Sequence, residues 1–448
     1  MDKWLDKWYK ALWVTGILFL IALVIELLFY KSFSVGYLIS PDGITYSNIA
    51  ENFLHGKGLV NTVNAAEGKD GIPIAVAFTR EYVVGPVYPL LLALVYGMFG
   101  LKSYGMVILV LHTLLGAASA VFAYKTGEIL FGKGYAWIPY VLTVAYPPFA
   151  FWRMYVLTET IYVFMVTLVL YYMARCAHEV ERPKLRTLVI LGLVIGISNL
   201  VRPLMLLYFP ILGLWLWWIN RWRLKRALRY FSIIVIMTVV VMSPWWIRNG
   251  IRYHQFIAVS NYGAYEFYLG NNPLTVTDSY FYFTQPSFDP ATKARIEKLP
   301  VLEQEKEYKK LAESYIIQHP IKFLKRTLAK ETNLFWQPAA YVEGPFNKMQ
   351  GDLQDKWYLI LGLTGMILSL FSLKKYGFLI LFIGYYSFIV SMITVVPRYR
   401  LPVMPAMILI SSLVLVMAIK GIMRLTRLNR RTRINQQTRL NRRTARRV

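Results

Sequence analysis

The chain has 448 residues, of which 56% are hydrophobic and 17% charged, and its formal net charge is +26. Soluble globular domains average about 25% charged residues, so this composition, with apolar residues gathered in long runs, excludes a water-soluble domain and predicts a polytopic helical membrane protein. The basic residues lie mainly in short loops between apolar runs and in the C-terminal tail. That distribution follows the positive-inside rule and argues against a nucleic-acid partner.

The first predicted element is an apolar run at 11–30, interrupted only by Glu26 and long enough to cross a bilayer. Lysines precede it, so we interpret it as a retained first helix with a cytoplasmic N-terminus. Pro41-Asp42-Gly43 follows, a turn signal that carries a carboxylate. Asp42 is therefore a candidate general base at the outer membrane face. The alternative is an Asx turn or the N-cap of a helix over 44–54.

Further apolar runs predict about ten spans in total, all within one transmembrane domain at 1–420. The two short runs around Arg202 fit either a helix pair or one broken helix. Basic residues in the short loops place both termini in the cytoplasm, and the predicted location is the plasma (inner) membrane. The predicted spans lie near 11–30, 105–130, 135–150, 157–176, 187–201, 203–219, 228–245, 357–373, 376–395 and 400–420.

Two long segments are then extracytoplasmic. The first, 31–104, contains a short apolar stretch at 86–100 that begins with prolines and ends with glycines, which predicts an interfacial helix. The second, 246–356, contains a mixed-charge helical stretch near 291–335, which is typical of a solvated face.

The C-terminal tail, 421–448, is basic and repeats Thr-Arg-Leu-Asn-Arg-Arg-Thr at 426–432 and 438–444. We predict a disordered cytoplasmic tail that binds anionic lipids. Contact with RNA or a ribosome is the alternative.

Glu159 stands at the outer end of a predicted span. It either caps that helix or faces a cavity, because an acid inside the membrane costs about 2.5–3.5 kcal/mol. Several arginines also lie at outer helix ends or in outer loops, and guanidinium groups suit bidentate phosphate binding. Each alone is also explained by snorkelling to the interface. The arginines are Arg80, Arg202, Arg248, Arg398 and Arg400.

Metal and nucleotide signatures are missing from the sequence. The five histidines are scattered, without HxxxH or HExxH spacing, and neither a Walker loop nor a GxGxxG fingerprint occurs. We therefore predict no bound cofactor and no metal site, while a divalent metal stays open as an alternative.

Seven short segments stand at or near the ends of the predicted spans. They are Pro41-Asp42-Gly43 with Tyr46 and Ala50, Gly85-Pro86-Val87-Tyr88-Pro89-Leu90-Leu91-Leu92-Ala93-Leu94, Leu157-Thr158-Glu159, Leu200-Val201-Arg202-Pro203, Pro244-Trp245 through Arg248-Asn249, Leu269-Gly270-Asn271-Asn272-Pro273 and Arg398-Tyr399-Arg400-Leu401-Pro402. Their order and spacing relative to the spans resemble the GT-C superfamily of membrane glycosyltransferases, and among its types the dolichyl-phosphate-mannose–protein mannosyltransferases and aminoarabinose transferases. The resemblance covers most of 10–420.

The resemblance implies a polyprenyl-phosphate-linked sugar as donor and transfer on the outer face to a glycan, lipid or protein acceptor. It implies an essential acid in the first outer loop, which falls on Asp42, and a second acid that maps to Glu159. Members often carry paired acids where this chain has Asp42-Gly43, so a second contribution there would come from elsewhere. The Arg-Tyr-Arg segment at 398–400 resembles part of the lipid-phosphate site. The predicted pocket tyrosines are Tyr46, Tyr82, Tyr88 and Tyr399, although Tyr399 also fits an interfacial aromatic belt.

Two other classes of function stay open at this point. A transporter or lipid flippase would favour broken helices, polar groups at the midplane and inverted repeats. A non-catalytic subunit of a glycan or glycolipid assembly system would keep the helices and tolerate loss of Asp42.

Overall fold

The structure is a computed structural model that describes residues 2–32, 39–62, 83–179, 183–275, 277, 289–336, 347–394 and 396–444. Within these ranges it is helical throughout, with no β-strand, which confirms the predicted all-helical class. The α-helices are α1 Asp2–Ser32, α2 Pro41–Leu54, α3 Val87–Phe99, α4 Tyr104–Met106, α5 Thr113–Phe131, α6 Trp137–Val144, α7 Pro147–Arg153, α8 Glu159–His178, α9 Leu185–Val201, α10 Phe209–Ile219, α11 Leu224–Tyr253, α12 Gly263–Gly270, α13 Pro290–Ile296, α14 Val301–Gln318, α15 Pro320–Trp336, α16 Asn347–Ser369, α17 Leu373–Ser391 and α18 Met404–Thr444.

Five helical segments of the described chain are long and apolar enough to cross a membrane, and four shorter apolar helices accompany them. The protein is therefore a polytopic membrane protein, as its sequence predicts. The five long segments are Tyr104–Phe131, Glu159–His178, Leu224–Tyr253, Lys356–Ser391 and Arg398–Arg427, and the shorter ones are Trp13–Leu28, Val87–Phe99, Leu185–Val201 and Pro203–Ile219.

The span predicted over 135–150 is wrong as a single helix. The structure divides it into α6 and α7, which are separated at Ala145 and Tyr146. Two consecutive prolines, Pro147 and Pro148, cause the break, because proline lacks the amide hydrogen that a continuing helix needs and suits the first turn of a new one.

Arg202 stands between two separate helices rather than within one. It ends α9 with an extended backbone conformation, and a 3₁₀ turn, Pro203–Tyr208, leads into α10. Both α9 and α10 pack against α11. The short runs are thus two separate helices with Arg202 at their junction, and they pack against α11 more than against each other.

The structure differs from two further predictions, one for the long segment 246–356 and one for the tail. The stretch at 291–335 is not one helix, because Pro300 and Pro320 separate α13, α14 and α15. The tail predicted to be disordered continues α18 as a helix to Thr444. Extending an existing helix avoids the unfavourable nucleation step, and the tail has no glycine or proline beyond Gly421 to interrupt it.

Two glycines allow α2 and α3 to approach the helix bundle closely. A Cβ atom at Gly43 would lie 2.7 Å from the carbonyl oxygen of Val156, just before α8. A Cβ atom at Gly85 would collide with the carbonyl oxygen of Leu200, near the end of α9. The first turn of α2 and the start of α3 therefore rest directly on the start of α8 and the end of α9.

Glu26, the one acid inside the first apolar run, forms a buried ion pair with Arg153 at the end of α7. Both side chains line a cavity of about 20 Å³, together with Ser119, Thr143 and Glu159. A space of this size and polarity suits a single water molecule. The pair joins α1 to the centre of the fold and explains why the membrane helix tolerates an acid.

We predict that Glu26→Gln lowers the free energy of unfolding by about 3 kcal/mol, because it leaves the buried guanidinium of Arg153 without its charge partner. Denaturant unfolding in detergent, followed by tryptophan fluorescence, measures the change. Glu313→Gln, at an exposed position of α14, is the control and should change it by less than about 0.5 kcal/mol. Equal stability of Glu26→Gln and wild type would show that the pair does not hold α1.

Candidate functional site

Asp42 lies in the first turn of α2, but it is not the residue that caps the helix. The cap is Ser40, whose hydroxyl oxygen accepts a hydrogen bond from the amide of Gly43 at 3.2 Å. The Asp42 carboxylate is thus left for another partner, and its Oδ2 accepts a hydrogen bond from the Arg398 guanidinium at 2.7 Å. The Asp42 side chain is 28% exposed, so water or a ligand can reach it.

Glu159 begins α8 and is the buried centre of the site. One of its oxygens, Oε1, lies 2.6 Å from Nη2 of Arg202 and 3.5 Å from Nε of Arg398. Its side chain is only 1% exposed. The carboxylate therefore holds two guanidinium groups while remaining shielded from solvent.

The two arginines come from chain segments that end or interrupt helices. Arg202 also donates from Nε to the hydroxyl of Thr158 at 2.7 Å, so Thr158 serves the arginine and makes no side-chain cap for α8. Arg398 lies in the 3₁₀ turn Pro397–Val403, just before α18. The ring of Tyr399 lies 5.8 Å from the Arg202 guanidinium and 5.6 Å from that of Arg398, so it is within cation–π distance of both.

Asp42, Arg398, Glu159 and Arg202 thus form a continuous chain of charged contacts, which we call the charge chain. Its first member is open to solvent and its third is buried. Alternating charge in this order lets each group compensate its neighbour in a low-dielectric setting.

Two of the predicted tyrosines, Tyr46 and Tyr88, contact each other near Asp42. Tyr46 is one helical turn further along α2, and burial raises the pKa of its phenol to about 12, with a further contribution from the negative charge of Asp42. Tyr88 is fully buried, meets Tyr46 edge to face at 5.3 Å, and bonds to Nε2 of His112 at 3.0 Å. Because Nδ1 of His112 lies 2.8 Å from the carbonyl oxygen of Arg153, which can only accept, we assign Nδ1 as the protonated nitrogen and Tyr88 as the donor. Tyr46 can border a pocket, whereas Tyr88 supports it from behind.

Arg248 and Arg400 are not brought into the charge chain. Arg248 donates to the carbonyl of Leu59 at 2.8 Å and lies over the ring of Trp245. Arg400 is 1% exposed and donates to the carbonyl of Phe335 at 2.6 Å. Both side chains bind backbone segments together. Arg80 and Tyr82 lie outside the described residues.

Glu266 of α12 is a residue of the site that sequence reasoning missed. Its Oε2 accepts a hydrogen bond from the hydroxyl of Thr394 at 2.5 Å, four residues before Arg398. Burial raises the pKa of Glu266, and the nearby charge of Asp42 adds to the increase. The available signal was the Leu269-to-Pro273 motif, which begins three residues later on the same short helix. A third carboxyl group is therefore close enough to Asp42 and Arg398 to feel their charges.

Glu305 of α14 holds the helix that carries Glu266. Its Oε2 accepts a hydrogen bond from the backbone amide of Ala264, in the first turn of α12, at 3.1 Å. Burial raises the pKa of Glu305 to about 7, although the hydrogen bonds from Ala264 and Tyr265 oppose this increase.

The arrangement offers an exposed carboxylate beside two guanidinium groups, a combination suited to an anionic ligand and a nearby proton acceptor. Among the residues with a described placement, no group of three or more His, Cys, Asp or Glu side chains is arranged to hold a metal ion.

Comparisons with known proteins agree with this reading of the fold. The family described as "Dolichyl-phosphate-mannose-protein mannosyltransferase" matches residues 83–247. An archaeal oligosaccharyltransferase, AglB from Archaeoglobus fulgidus, solved with an inhibitory peptide and a dolichol-phosphate, is 12% identical, with a TM-score of 0.54 over 94% of this chain and 52% of that one. The Archaeoglobus fulgidus enzyme tethered to an acceptor peptide is 13% identical, with a TM-score of 0.52 over 93% and 50%.

ArnT from Cupriavidus metallidurans in the apo state is 16% identical, with a TM-score of 0.48 over 90% of this chain and 60% of that one. The chain therefore spans between half and three-fifths of the length of these three solved proteins. A comparison with curated protein sequences gave no match. The family match and the AglB fold together confirm the predicted resemblance to the GT-C superfamily at the level of fold.

We predict a pH-dependent contribution of Glu305 to stability. A carboxyl group whose pKa rises to about 7 on folding favours the folded state most below its unfolded pKa of about 4.3, and this contribution is lost as the pH rises to about 7. The melting temperature of Glu305→Gln, relative to that of wild type, should therefore increase as the pH is raised from 4.5 to 7.5. Glu313→Gln controls for the removal of one negative charge. The difference in melting temperature between wild type and Glu305→Gln is compared with that between wild type and Glu313→Gln. If the two differences agree at every pH, the assignment is contradicted.

Proposed function

We propose that the protein is a membrane glycosyltransferase that moves a sugar from a polyprenyl-phosphate-linked donor to an acceptor on the extracytoplasmic face. The observation that carries the proposal is the charge chain, in which the partly exposed Asp42 contacts Arg398 at 2.7 Å beside a second guanidinium. The match to a mannosyltransferase family over 83–247 supports a transferase. The dolichol-phosphate in the complex of AglB, which shares the fold, supports a lipid-phosphate donor.

The proposed reaction is a single displacement at the anomeric carbon. The acceptor oxygen or nitrogen attacks that carbon, and Asp42 takes the acceptor's proton. The bond between the carbon and the phosphate oxygen breaks, and its electron pair leaves with the lipid phosphate. Arg398 and Arg202 stabilise the negative charge that develops on this leaving group, which is where preorganised positive charge is most effective.

Glu159 has a positioning role in this scheme and does not contact the substrate. Its 1% exposure keeps it away from a ligand, while its contacts at 2.6 and 3.5 Å fix both guanidinium groups. A carboxylate shared by two arginines limits their side-chain motion, so they lose less entropy when a phosphate binds.

The donor-phosphate site of the proposal consists of Arg202 and Arg398. Arg80 stays a predicted member of this site and Tyr82 a predicted pocket residue, both from the first outer loop, while Arg248 and Arg400 brace backbone segments. Tyr46 and Tyr399 border the pocket, with Glu266 as a further polar wall.

We further propose that the protein resides in the plasma (inner) membrane with both termini in the cytoplasm. The short basic loops support this orientation. The basic residues of the tail, 421–448, would then bind anionic lipids on the cytoplasmic side.

A deletion strain provides the first test of the function. Without the gene, the lipid-linked sugar donor should accumulate, and one class of surface glycan, glycolipid or glycoprotein should lose that sugar. Purified protein in liposomes should then release polyprenyl phosphate from the isolated donor in an acceptor-dependent way. Movement of intact donor across the bilayer without its cleavage would contradict the proposal and support a flippase.

We expect Asp42→Asn to lower kcat by at least about 100-fold, because the amide cannot accept the acceptor's proton. Donor affinity should change much less, since the arginines remain. Single-turnover transfer and equilibrium donor binding separate the two effects. Asp289→Asn is the matched control, because Asp289 caps the exposed start of α13 and asparagine caps equally well. Full transfer by Asp42→Asn would remove Asp42 from the mechanism.

Replacing Arg398 by glutamine should lower kcat by about 100-fold or more and also weaken donor binding, because a charge beside the leaving phosphate is lost. Arg252→Gln, an exposed arginine on α11, should leave both values unchanged. The measurement is release of polyprenyl phosphate across donor concentrations. If Arg398→Gln raises KM only, then Arg398 binds the ground state and does not stabilise the transition state.

A further inference from the structure

The helix α15 exposes a row of large aliphatic side chains. Its outward face carries Ile321, Leu324 and Leu328, which are 71%, 55% and 59% exposed. These positions recur at three and four residues, so they form one continuous stripe along the helix. We call these three residues the outer stripe.

The side of α15 that packs on the protein combines polar and apolar residues. The Lys330 ammonium is buried and donates to the carbonyl of Gly270 at 2.7 Å and to that of Ile393 at 2.8 Å. Leu334 is buried in the hydrophobic core, and Glu331, at the flank of the outer stripe, accepts a hydrogen bond from the hydroxyl of Ser391 at 2.8 Å. These contacts fix the helix to the protein and leave the outer stripe exposed.

A surface helix in contact with water turns most of its large aliphatic side chains toward the core. A continuous exposed apolar stripe is stable where the surroundings themselves are apolar. The outer stripe therefore indicates that α15 does not face bulk water.

The neighbours of α15 place it at the boundary of the membrane. Glu331 contacts Ser391, the last residue of the membrane-spanning helix α17, and Lys330 contacts the backbone two residues beyond it. The helix thus crosses the end of a span at the level where that span leaves the apolar layer. Its exposed flank adds the residues that interfaces favour, Lys322, Lys325 and the terminal Trp336.

We propose that α15 lies in the membrane interface, with the outer stripe among the acyl chains and with Lys322 and Lys325 directed to lipid phosphate groups. For this helix the proposal replaces the predicted solvated face. The placement does not depend on whether the chain transfers a sugar. Through Lys330, α15 is bonded to the end of α12, which carries Glu266, and to the segment that leads to Arg398.

Spin-label accessibility tests this placement in the full-length protein. Single cysteines replace Ile321, Leu324 or Leu328 in a Cys176→Ala background, each labelled with a nitroxide. Lys309→Cys and Glu313→Cys, on the neighbouring helix α14, are the controls, because these residues form an exposed i,i+4 ion pair. The protein is reconstituted in vesicles of phosphatidylethanolamine and phosphatidylglycerol, and collisions with oxygen and with a water-soluble nickel chelate are compared.

We expect the ratio of oxygen to nickel collisions to be at least about threefold higher at the outer stripe than at the controls, because oxygen concentrates in the acyl layer and the chelate is excluded from it. Equal ratios would show that the stripe faces water and would overturn the proposal. Low collision rates with both reagents would show that another protein surface or a second copy covers the stripe, which also overturns it. Three separate positions are labelled, so that the test stands even when one variant fails to fold. None of these collision measurements requires sugar transfer.

Discussion

The contact between Asp42 and Arg398 is the interaction on which the site depends. It joins the first outer helix to the turn before the last membrane span, and through Glu159 it extends to Arg202 at the end of α9. Each of these groups would be costly at a membrane boundary without its neighbours. Their mutual compensation keeps the guanidinium groups charged and in place, so a phosphate would meet a preformed site.

Close backbone packing makes this contact possible. Gly43 and Gly85 allow the starts of α2 and α3 to rest on the ends of α8 and α9, where a side chain at either position would meet a carbonyl oxygen. A carboxylate in place of Gly43 would therefore have no room beside Asp42. Glu266, on a different helix, is a further carboxyl group within electrostatic range of Asp42.

Sequence reasoning predicted the parts of the molecule that depend on local patterns. Long apolar runs predicted the spans, and turn residues next to polar ones predicted four site residues. The structure brings these four together, namely Asp42, Glu159, Arg202 and Arg398. The alternatives that sequence left open required tertiary contacts. The sequence left open whether Asp42 caps α2, and the structure shows that Ser40 is the cap. Arg248 and Arg400 have the same local setting as the other arginines, and only the fold shows that they bind backbone carbonyls. For Glu266 the sequence offered only the neighbouring Leu269-to-Pro273 motif, because its hydrogen bond joins it to a residue 128 positions away.

The long sequence separation within the charge chain has a consequence for biosynthesis. Asp42 and Arg398 are 356 residues apart, and the segment with Arg398 is held by α8, α17 and α18. A growing chain that has inserted the helices up to α11 contains Arg202 but still lacks Arg398. Assembly of the site is thus tied to insertion of the last helices, and a ribosome-bound or truncated chain carries an acid at the membrane surface without the cation that completes it.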